Sequence, residues 1–285
     1  MANRSSLRGG YRGAVRRTAV GIGGPALALL LAACATVGDA DAHRILLPEP
    51  GPFDYQLGGV SELPEGVTVV ARDSTAEPAE GAYSICYVNG FQTQPGEGEH
   101  WLAEHPELVL RDAAGEPFAD PGWPDEYLLD TSTDDTRSEI AALLGTVIAS
   151  CATSGFDAVE IDNLDTWTRS DGLLTIEGAL DLAARYARVA HDLGLAIAQK
   201  NGAGQSARFR DEVGFDFAVT EECMRYDECA DYLDAYDGRV FDIEYGSAEE
   251  FVAYCADSGH PAAMIRRDLG LVPAGSPAHV YDTCP

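Results

Sequence analysis

The sequence lacks the short motifs that bind nucleotides, hold structural zinc or activate a serine nucleophile. No GxGxxG follows an early strand and no GxxxxGKS or GxxxxGKT occurs, so dinucleotide and phosphate-loop sites have no support. No GxSxG elbow is present. No CxxC pair occurs and the six histidines are scattered, which disfavours a zinc site. We therefore expect no cofactor and no bound metal.

Basic residues are also scarce. The chain has 19 Lys and Arg against 47 Asp and Glu, a formal net charge of −28. Five of the arginines lie in residues 1–33, which contain no acid, so the remainder has 14 basic and 47 acidic residues, or −33. This excess of negative charge argues against a nucleic-acid partner. It would suit a cationic polymer, although keeping a secreted protein soluble explains it equally well.

Residues 1–33 have the pattern of a secretory signal peptide. An apolar run from Ala19 to Ala33 follows the arginines, is too short to span a bilayer comfortably, and ends in small residues. The segment LAAC is similar to a bacterial lipobox, which predicts cleavage before Cys34 and lipidation of that cysteine. Residues 34–50 would then be the lipidated cysteine and a polar tether. An ordinary signal peptide with a chance cysteine is the alternative.

Six cysteines remain after Cys34, an even number that predicts three disulfides in a protein outside the cytoplasm. Six cysteines allow 15 pairings, and sequence alone does not choose among them. The short separation of Cys223 and Cys229 favours a bridge that closes a small loop. The full set that we expect is Cys223–Cys229, Cys86–Cys151 and Cys255–Cys284.

Strand-like runs separated by helical patterns fill residues 51–285, a length that suits a single (β/α)₈ barrel. Strands that alternate with helices imply parallel pairing and right-handed crossovers. The clearest helix runs from Thr175 to Leu193, with apolar residues at helical spacing and Gly194 after its end. The strand-like runs are 54–57, 67–71, 83–88, 127–129, 158–162, 196–199, 217–220, 240–244 and 262–266.

These nine candidate strands exceed the eight positions of a barrel, so one of them is an extra strand or a wrong prediction. A doubly wound open sheet is the alternative fold. We predict an α/β protein whose residues 51–285 form one (β/α)₈ TIM-barrel domain, and we expect a monomer.

Several of the predicted strands end in carboxylates. In the segment AVEID, successive side chains point to opposite faces, so Glu160 and Asp162 share one face of the strand. The segment FAVTE ends in Glu221, and in VFDIE we expect Asp242 and Glu244 on the inward face. Catalytic groups of such barrels lie at the carboxyl ends of the strands. Glycoside hydrolysis requires two carboxylates in opposed roles, so the pattern indicates a sugar-cleaving site.

Seven segments, taken in order, resemble glycoside hydrolase family 114, the endo-α-1,4-polygalactosaminidase-like barrels. They are FDYQLGG, SICYVNGFQ, GWPDEYLLD, GFDAVEIDNLDTW, LAIAQKNG, FDFAVTEECMRYDEC and VFDIEYG. The resemblance implies a barrel outside the cytoplasm that hydrolyses α-1,4-linked galactosamine or N-acetylgalactosamine polymers. It implies a two-carboxylate mechanism, for which we favour retention, and an extracellular polysaccharide as the partner.

The sequence departs from the family pattern at three places, one of which is the loop FQT after SICYVNG, where the family usually has an acid-rich stretch. The residues TEEC stand where the family usually has NEQC, so Glu222 is an extra acid that would raise the pKa of Glu221 by repulsion. The residues FDYQ stand where the family often has WDWQ, and both aromatic positions remain aromatic.

The matching positions imply roles for the two carboxylates. Asp162 would be the nucleophile or charge stabiliser, with capping of the following helix as the alternative. Glu221 would be the general acid and base, and apolar neighbours would raise its pKa as acid catalysis requires. Further candidates for substrate binding are Asp54, Tyr87, Asp130, Asn163, Lys200, Asn201 and Glu244.

Some of these candidates have a structural alternative. Asp54 is as well suited to capping a turn as to binding a sugar hydroxyl or amine. Lys200 could pair with Glu160 or Asp162 instead of contacting substrate. Glu244 could form a buried ion pair with Lys200.

Two other functions remain open at this point. One is a non-catalytic glycan-binding lipoprotein, which would be expected to lose one carboxylate of the pair; both are present. The other is a hydrolase for a different α-linked glycan.

The lipobox predicts how the protein is localised. We expect it outside the cytoplasm, anchored by lipid to the bacterial cell membrane through Cys34, because an acyl chain is the only anchor that the sequence offers. Cys34→Ser should therefore release the protein from membranes or block its processing, as measured by fractionation and by the mass of the mature chain. Normal processing and continued membrane association of the variant would contradict the lipoprotein assignment.

Overall fold

The computed structural model describes residues 45–285. The predicted signal peptide 1–33, the lipid attachment at Cys34 and most of the tether 34–50 lie outside the described residues. Within residues 45–285, no helix is long and apolar enough to cross a membrane.

Eight parallel strands form a curled sheet in which each strand pairs with the next one along the chain. A short ninth strand runs antiparallel to the eighth. The chain has the α/β TIM-barrel fold that the sequence predicts. The strands are β1 Phe53–Gln56, β2 Val69–Asp73, β3 Tyr83–Asn89, β4 Ala158–Asp162, β5 Ala196–Lys200, β6 Phe217–Glu221, β7 Val240–Glu244, β8 Ala263–Arg267 and β9 Tyr281–Thr283.

Helices connect the strands from β3 onward. Between β1 and β3 the described chain has only loops, at 57–68 and 74–82, so the first two helices of an ideal (β/α)₈ barrel are missing there. The α-helices are α1 Gly98–Glu104, α2 Asp134–Ser154, α3 Ile176–Asp192, α4 Ser206–Arg208, α5 Cys229–Ala235 and α6 Ala248–Cys255. Short 3₁₀ turns occur at Thr166–Thr168 and Ala203–Gln205, and a π-helical turn at Phe209–Val213.

The predicted helix over Thr175–Leu193 is confirmed as α3. The Thr175 side chain accepts a hydrogen bond from the Gly178 N–H, which satisfies a backbone donor that the first helical turn leaves free. The run 127–129 is the wrong strand prediction, because its residues form only isolated bridges in a long insertion between β3 and α2. Strand β9 was not predicted.

The strand alternation places two chemically different layers inside the barrel. Aromatic side chains fill the amino-terminal layer, where Phe241 makes edge contacts with Phe53 at 5.3 Å and with Phe217 at 5.9 Å between ring centroids. The outward residues Val159 and Ile161 of β4 pack against the helices. The charged residues are left at the carboxyl ends of the strands, where they form the cleft described below.

Side chains join the first and last parts of the sheet. The Arg267 guanidinium on β8 binds Asp54 Oδ1 at 2.6 Å and also donates to the Tyr55 carbonyl oxygen. Gln56 Nε2 donates to the other Asp54 oxygen at 2.7 Å, and the Tyr281 hydroxyl donates to the Phe53 carbonyl. Asp54 is therefore a buried residue with a structural role, which contradicts its predicted contact with substrate.

The three predicted disulfides are confirmed. One joins β3 to α2, one closes the turn that follows β6, and one ties the end of α6 to the segment after β9. They are Cys86–Cys151, Cys223–Cys229 and Cys255–Cys284. Each restricts the unfolded chain and so stabilises the fold, typically by about 2–4 kcal/mol.

Strand β7 presents the opposite face from the one predicted. Phe241 and Ile243 occupy the barrel interior, so Asp242 and Glu244 point outward, behind the wall of the cleft. The prediction that they face inward, and the contacts of Glu244 with substrate or Lys200 that followed from it, are wrong. The alternation of apolar and acidic residues along β7 was predicted correctly. The bulky apolar side chains, and not the acids, occupy the barrel interior.

Asp242 and Glu244 instead hold the turn that follows β6. Asp242 Oδ1 accepts hydrogen bonds from the Thr220 hydroxyl at 2.7 Å and from the Cys223 N–H at 3.3 Å. Glu244 Oε1 accepts from the Met224 N–H at 2.8 Å. The turn contains Glu222, which has a positive φ. These acceptors therefore stabilise a backbone path that is otherwise unfavourable.

The remaining oxygens of this carboxyl pair face each other. Asp242 Oδ2 and Glu244 Oε2 are buried and have no other hydrogen-bond partner among the described residues. Burial, and then repulsion from Glu244, raise the pKa of Asp242 well above its ordinary value, and burial also raises the pKa of Glu244. One proton shared between the two oxygens satisfies both, with Asp242 as its holder.

Asp242→Asn should change how stability depends on pH. The folded wild type keeps a proton that the unfolded chain loses above about pH 4, so wild-type stability falls as the pH rises from there. Asparagine does not titrate and can still donate an N–H to Glu244. The melting temperature of Asp242→Asn minus that of wild type should therefore grow from pH 4 to pH 8, as measured by calorimetry.

The exposed carboxyl of Glu104 on α1 provides the control for this measurement. Glu104→Gln should show no comparable trend with pH. A difference between Asp242→Asn and wild type that stays constant across the range would show that Asp242 is ionised in the folded protein.

Candidate active site

The carboxyl ends of β3 to β7 open into a cleft of about 730 Å³. The same residues that the sequence analysis places at strand ends supply its floor, and the insertion between β3 and α2 supplies one wall. Predicted residues that line the cleft are Tyr87, Asp162, Asn163, Lys200, Asn201 and Glu221.

Lys200 lies at the centre of the cleft floor and is the only lysine in the chain. Its side chain is 2% exposed, and its Nζ is 3.2 Å from Glu221, 3.4 Å from Glu160 and 3.6 Å from Asp162. Burial alone would lower the pKa of Lys200, but the three carboxylates outweigh it and raise that pKa. The alternative in which Lys200 pairs with neighbouring acids is therefore confirmed, with Glu221 as a further partner.

Asp162 ends β4 with one oxygen directed at donors in the cleft. The Tyr87 hydroxyl donates to Oδ2 at 2.7 Å, and Oδ1 accepts from the Asn163 N–H at 2.7 Å. Asn163 has φ 61°, so the chain turns sharply after the strand and leaves Asp162 at the rim. The helical turn that follows is preceded by Asp165, so Asp162 does not act as its N-cap residue.

Glu221 ends β6 and is held by three side chains. The Tyr245 hydroxyl donates to Oε1, Asn201 Nδ2 donates to Oε2 at 3.0 Å, and Lys200 approaches the same Oε2. Asn201 also accepts from the Glu221 N–H at 2.9 Å, so a single amide side chain orients both the backbone and the carboxylate.

The electrostatics of Glu221 differ from the prediction. Burial would raise the pKa of Glu221, but Lys200, Tyr245 and Asn201 outweigh burial and lower it. The extra acid Glu222 turns away and pairs with Arg225 at 2.5 Å. Glu221 is therefore ionised in the free cleft, and the expected upward shift from apolar neighbours and Glu222 is wrong for this state.

Glu160, which the sequence analysis considered only as a possible partner of Lys200, is a carboxyl whose pKa is raised. It is fully buried beneath Asp162, accepts from the Tyr55 hydroxyl at 2.6 Å, and leaves Oε2 without a partner among the described residues. Burial raises the pKa of Glu160 to about 7. The Tyr55 hydroxyl also accepts from Lys200 Nζ at 3.0 Å, so these three groups form one chain.

Amide side chains extend this network along one side of the cleft. Asn163 Nδ2 donates to Asn89 Oδ1 at 2.8 Å, and Asn89 Nδ2 donates to Glu126 Oε2 at 3.0 Å. Gln92 Nε2 donates to the same Glu126 oxygen. Sequence reasoning missed Asn89 and Glu126, although Asn89 ends a strand in the same way as Asp162.

Three predicted substrate contacts do not reach the cleft. Asp54 is bound by Arg267 between the first and last strands of the sheet. Glu244 lies behind the wall of the cleft, where it accepts from the Met224 N–H. Asp130 accepts from the Ser132 N–H at 2.8 Å and shapes the turn before α2. A position in or beside a predicted strand does not by itself say which way a side chain points.

The separation of the two candidate catalytic carboxylates is limited by their common partner. Asp162 Oδ2 and Glu221 Oε2 lie 3.6 and 3.2 Å from the same Lys200 nitrogen, so these oxygens are at most 6.8 Å apart. A sugar ring placed over Lys200 would have one carboxylate on each side. This arrangement can serve acid/base and nucleophilic chemistry at a single bond.

Comparison with known proteins supports the barrel fold. Among solved structures, Ega3 from Aspergillus fumigatus, in complex with galactosamine, has a TM-score of 0.68 and 19% identity over 85% of this chain and 98% of Ega3. The glycoside hydrolase domain of PelA from Pseudomonas aeruginosa has a TM-score of 0.52 and 15% identity over 78% of this chain and 96% of that domain. At such identities the similarity establishes the fold.

None of the curated proteins compared with this chain matches it. The profile of glycoside-hydrolase family GH114, in contrast, matches residues 35–285, which include every strand of the barrel and both candidate carboxylates. The protein therefore belongs to glycoside-hydrolase family GH114.

Proposed function

We propose that the protein cleaves α-1,4-linked galactosamine or N-acetylgalactosamine polymers at the cell surface, with Asp162 and Glu221 as the catalytic pair. The geometric observation that carries the proposal is the placement of these two carboxylates around one buried Lys200. The family assignment and the galactosamine bound to Ega3 support the substrate class. The lipobox at Cys34 supports the location.

We assign a retaining outcome to the reaction. Retaining glycosidases separate their carboxyl groups by ~5–5.5 Å and inverting enzymes by ~6.5–9.5 Å. The limit of 6.8 Å between Asp162 Oδ2 and Glu221 Oε2 supports the shorter, retaining separation. Asp162 would then attack the anomeric carbon and form a covalent ester.

In the first step Glu221 protonates the leaving oxygen. Because Glu221 is ionised in the free cleft, it must take up a proton as substrate enters. A sugar ring that covers its carboxyl removes remaining water and so favours the neutral acid, in the same direction as burial. Asp162 has three donors around it, from Tyr87, Asn163 and Lys200, which hold its carboxyl in position for attack.

In the second step the charges on Asp162 and Glu221 differ from those in the first step. The Asp162 ester is neutral, so Lys200 attracts Glu221 more than before and favours its ionised form. Ionised Glu221 can accept a proton from water, whose oxygen attacks the anomeric carbon and releases Asp162 as a carboxylate. The shared lysine thus supports the charge that the second step requires of Glu221.

Asp162→Asn and Glu221→Gln should each lower turnover by at least about 10²-fold while the fold is retained, because general acid/base catalysis alone typically contributes ~10²–10⁴. Release of oligosaccharides from a galactosamine polymer, followed by mass spectrometry, measures the rate. Azide should partly rescue Asp162→Ala, since a small anion can replace the missing nucleophile.

Glu222→Gln is the matched control, because this acid neighbours Glu221 but pairs with Arg225 outside the cleft. It should cost much less activity. An inactive Glu222→Gln together with an active Glu221→Gln would show that Glu221 is not the general acid. Near-normal rates in both Asp162 and Glu221 variants would refute the mechanism.

A further inference from the structure

The insertion between β3 and α2 forms a wing over one side of the cleft. Residues 91–130, here called the wing, fold back on themselves through antiparallel bridges that include Ala119 with Tyr127 and Arg111 with Pro117. The turn at its tip lines the cleft and carries Trp123. The catalytic steps above assign no role to this turn.

Trp123 is the most exposed of the three tryptophans of the chain. It is 55% exposed, whereas Trp101 is buried and Trp167, the third tryptophan, is half-buried. An indole presents a broad apolar face together with a polar N–H, which suits a ligand that offers both apolar and polar groups. The position of Trp123 at the cleft wall indicates that a ligand in the cleft covers it.

The backbone that carries Trp123 is held in place by one buried carboxylate. Asp120 Oδ1 accepts hydrogen bonds from the Gly122 N–H at 2.7 Å and from the Trp123 N–H at 3.0 Å. Its other oxygen binds the Arg169 guanidinium. Asp120 is buried, so the turn is defined before any ligand arrives.

Arg169 connects this turn to the catalytic strand. Its guanidinium donates to Asn163 Oδ1 at 2.7 Å and to Asp165 Oδ1 at 2.5 Å, in addition to Asp120. Burial would lower the pKa of Arg169, but Asp165 and Asp120 outweigh it and raise that pKa, so the cation is retained. Asn163 directly follows Asp162, so one side chain fixes the distance from Trp123 to the nucleophile.

We propose that Trp123 is the platform of a distal sugar subsite, onto which a pyranose ring of the polymer stacks while another ring is cleaved over Lys200. Arg169 and Asp120 are positioning residues for this platform. The apolar C–H face of a pyranose is complementary to the indole face, and such contacts add to the energy of simple burial. The inference rests on the proposed function and extends it to how a long substrate is held.

Trp123→Ala should raise KM for long galactosamine oligomers by about tenfold, the size expected for loss of one aromatic contact. The kcat on the shortest oligomer that wild type cleaves should not change, because that substrate does not reach the platform. Trp123→Phe should retain most of the affinity. Tyr226→Ala is the matched control, since Tyr226 is 62% exposed but does not line the cleft.

Asp120→Asn tests the positioning role. This substitution removes the negative charge with which residue 120 binds Arg169. It should raise KM for long oligomers in the same way as Trp123→Ala, with kcat on the short substrate preserved. A fall of kcat on both substrates would instead show that the wing acts only through the fold of the catalytic site.

Tryptophan fluorescence provides a readout that depends on binding alone. In Asp162→Asn, which should bind without cleaving, long galactosamine oligomers should shift the emission of Trp123 to shorter wavelength as the ring is covered. The double variant Asp162→Asn with Trp123→Phe should show no such shift.

The outcomes separate the two proposals. Release of no oligosaccharide by wild type would refute the proposed function whatever Trp123 does. Cleavage by wild type with an unchanged KM in Trp123→Ala would refute the platform and leave the proposed function intact. An emission shift that persists without Trp123, or that never occurs with it, would also refute the platform.

Discussion

The structure depends above all on one buried ammonium group. Lys200 is the only lysine in the chain, and its Nζ lies within 3.6 Å of carboxylates from β4 and β6. An isolated buried charge is strongly unfavourable, and so are three carboxylates packed together. The positive charge of Lys200 and the negative charges of the carboxylates stabilise each other. The ends of β4, β5 and β6 can therefore meet in this arrangement. The cation therefore fixes where Asp162 and Glu221 stand relative to each other.

The same cation divides the three acids into different chemical roles. Glu160 is fully buried and has an oxygen without a partner among the residues that the structure describes, so burial prevails and its pKa rises to about 7. Glu221 receives hydrogen bonds from Tyr245 and Asn201 in addition to the charge of Lys200, so its pKa falls. Neighbouring carboxylates that share a counter-ion thus differ because their other partners differ. This difference distinguishes the buried Glu160 from the proposed catalytic acid Glu221.

Elements outside the barrel interior hold the reactive ends of the strands. The positive φ values of Asn163, Asn201 and Glu222 turn the chain sharply after β4, β5 and β6. Such conformations are unfavourable for residues other than glycine, though asparagine tolerates them best. They persist because surrounding side chains satisfy the turns: Asp242 behind the β6 turn and Arg169 beside the β4 turn. The cleft is therefore supported from its outer side as much as from within.

The sequence by itself determined the strand order, the helix at Thr175 and the placement of Asp162, Glu221 and Lys200 at strand ends, because alternation and helical spacing are local properties of the chain. It did not determine which face of β7 is inward. Two alternating faces are equivalent until neighbouring strands pack, and Phe241 excluded Glu244 from the interior. The depressed pKa of Glu221 was likewise decided only by the tertiary structure, since it results from partners on β5 and after β7 that are distant along the chain.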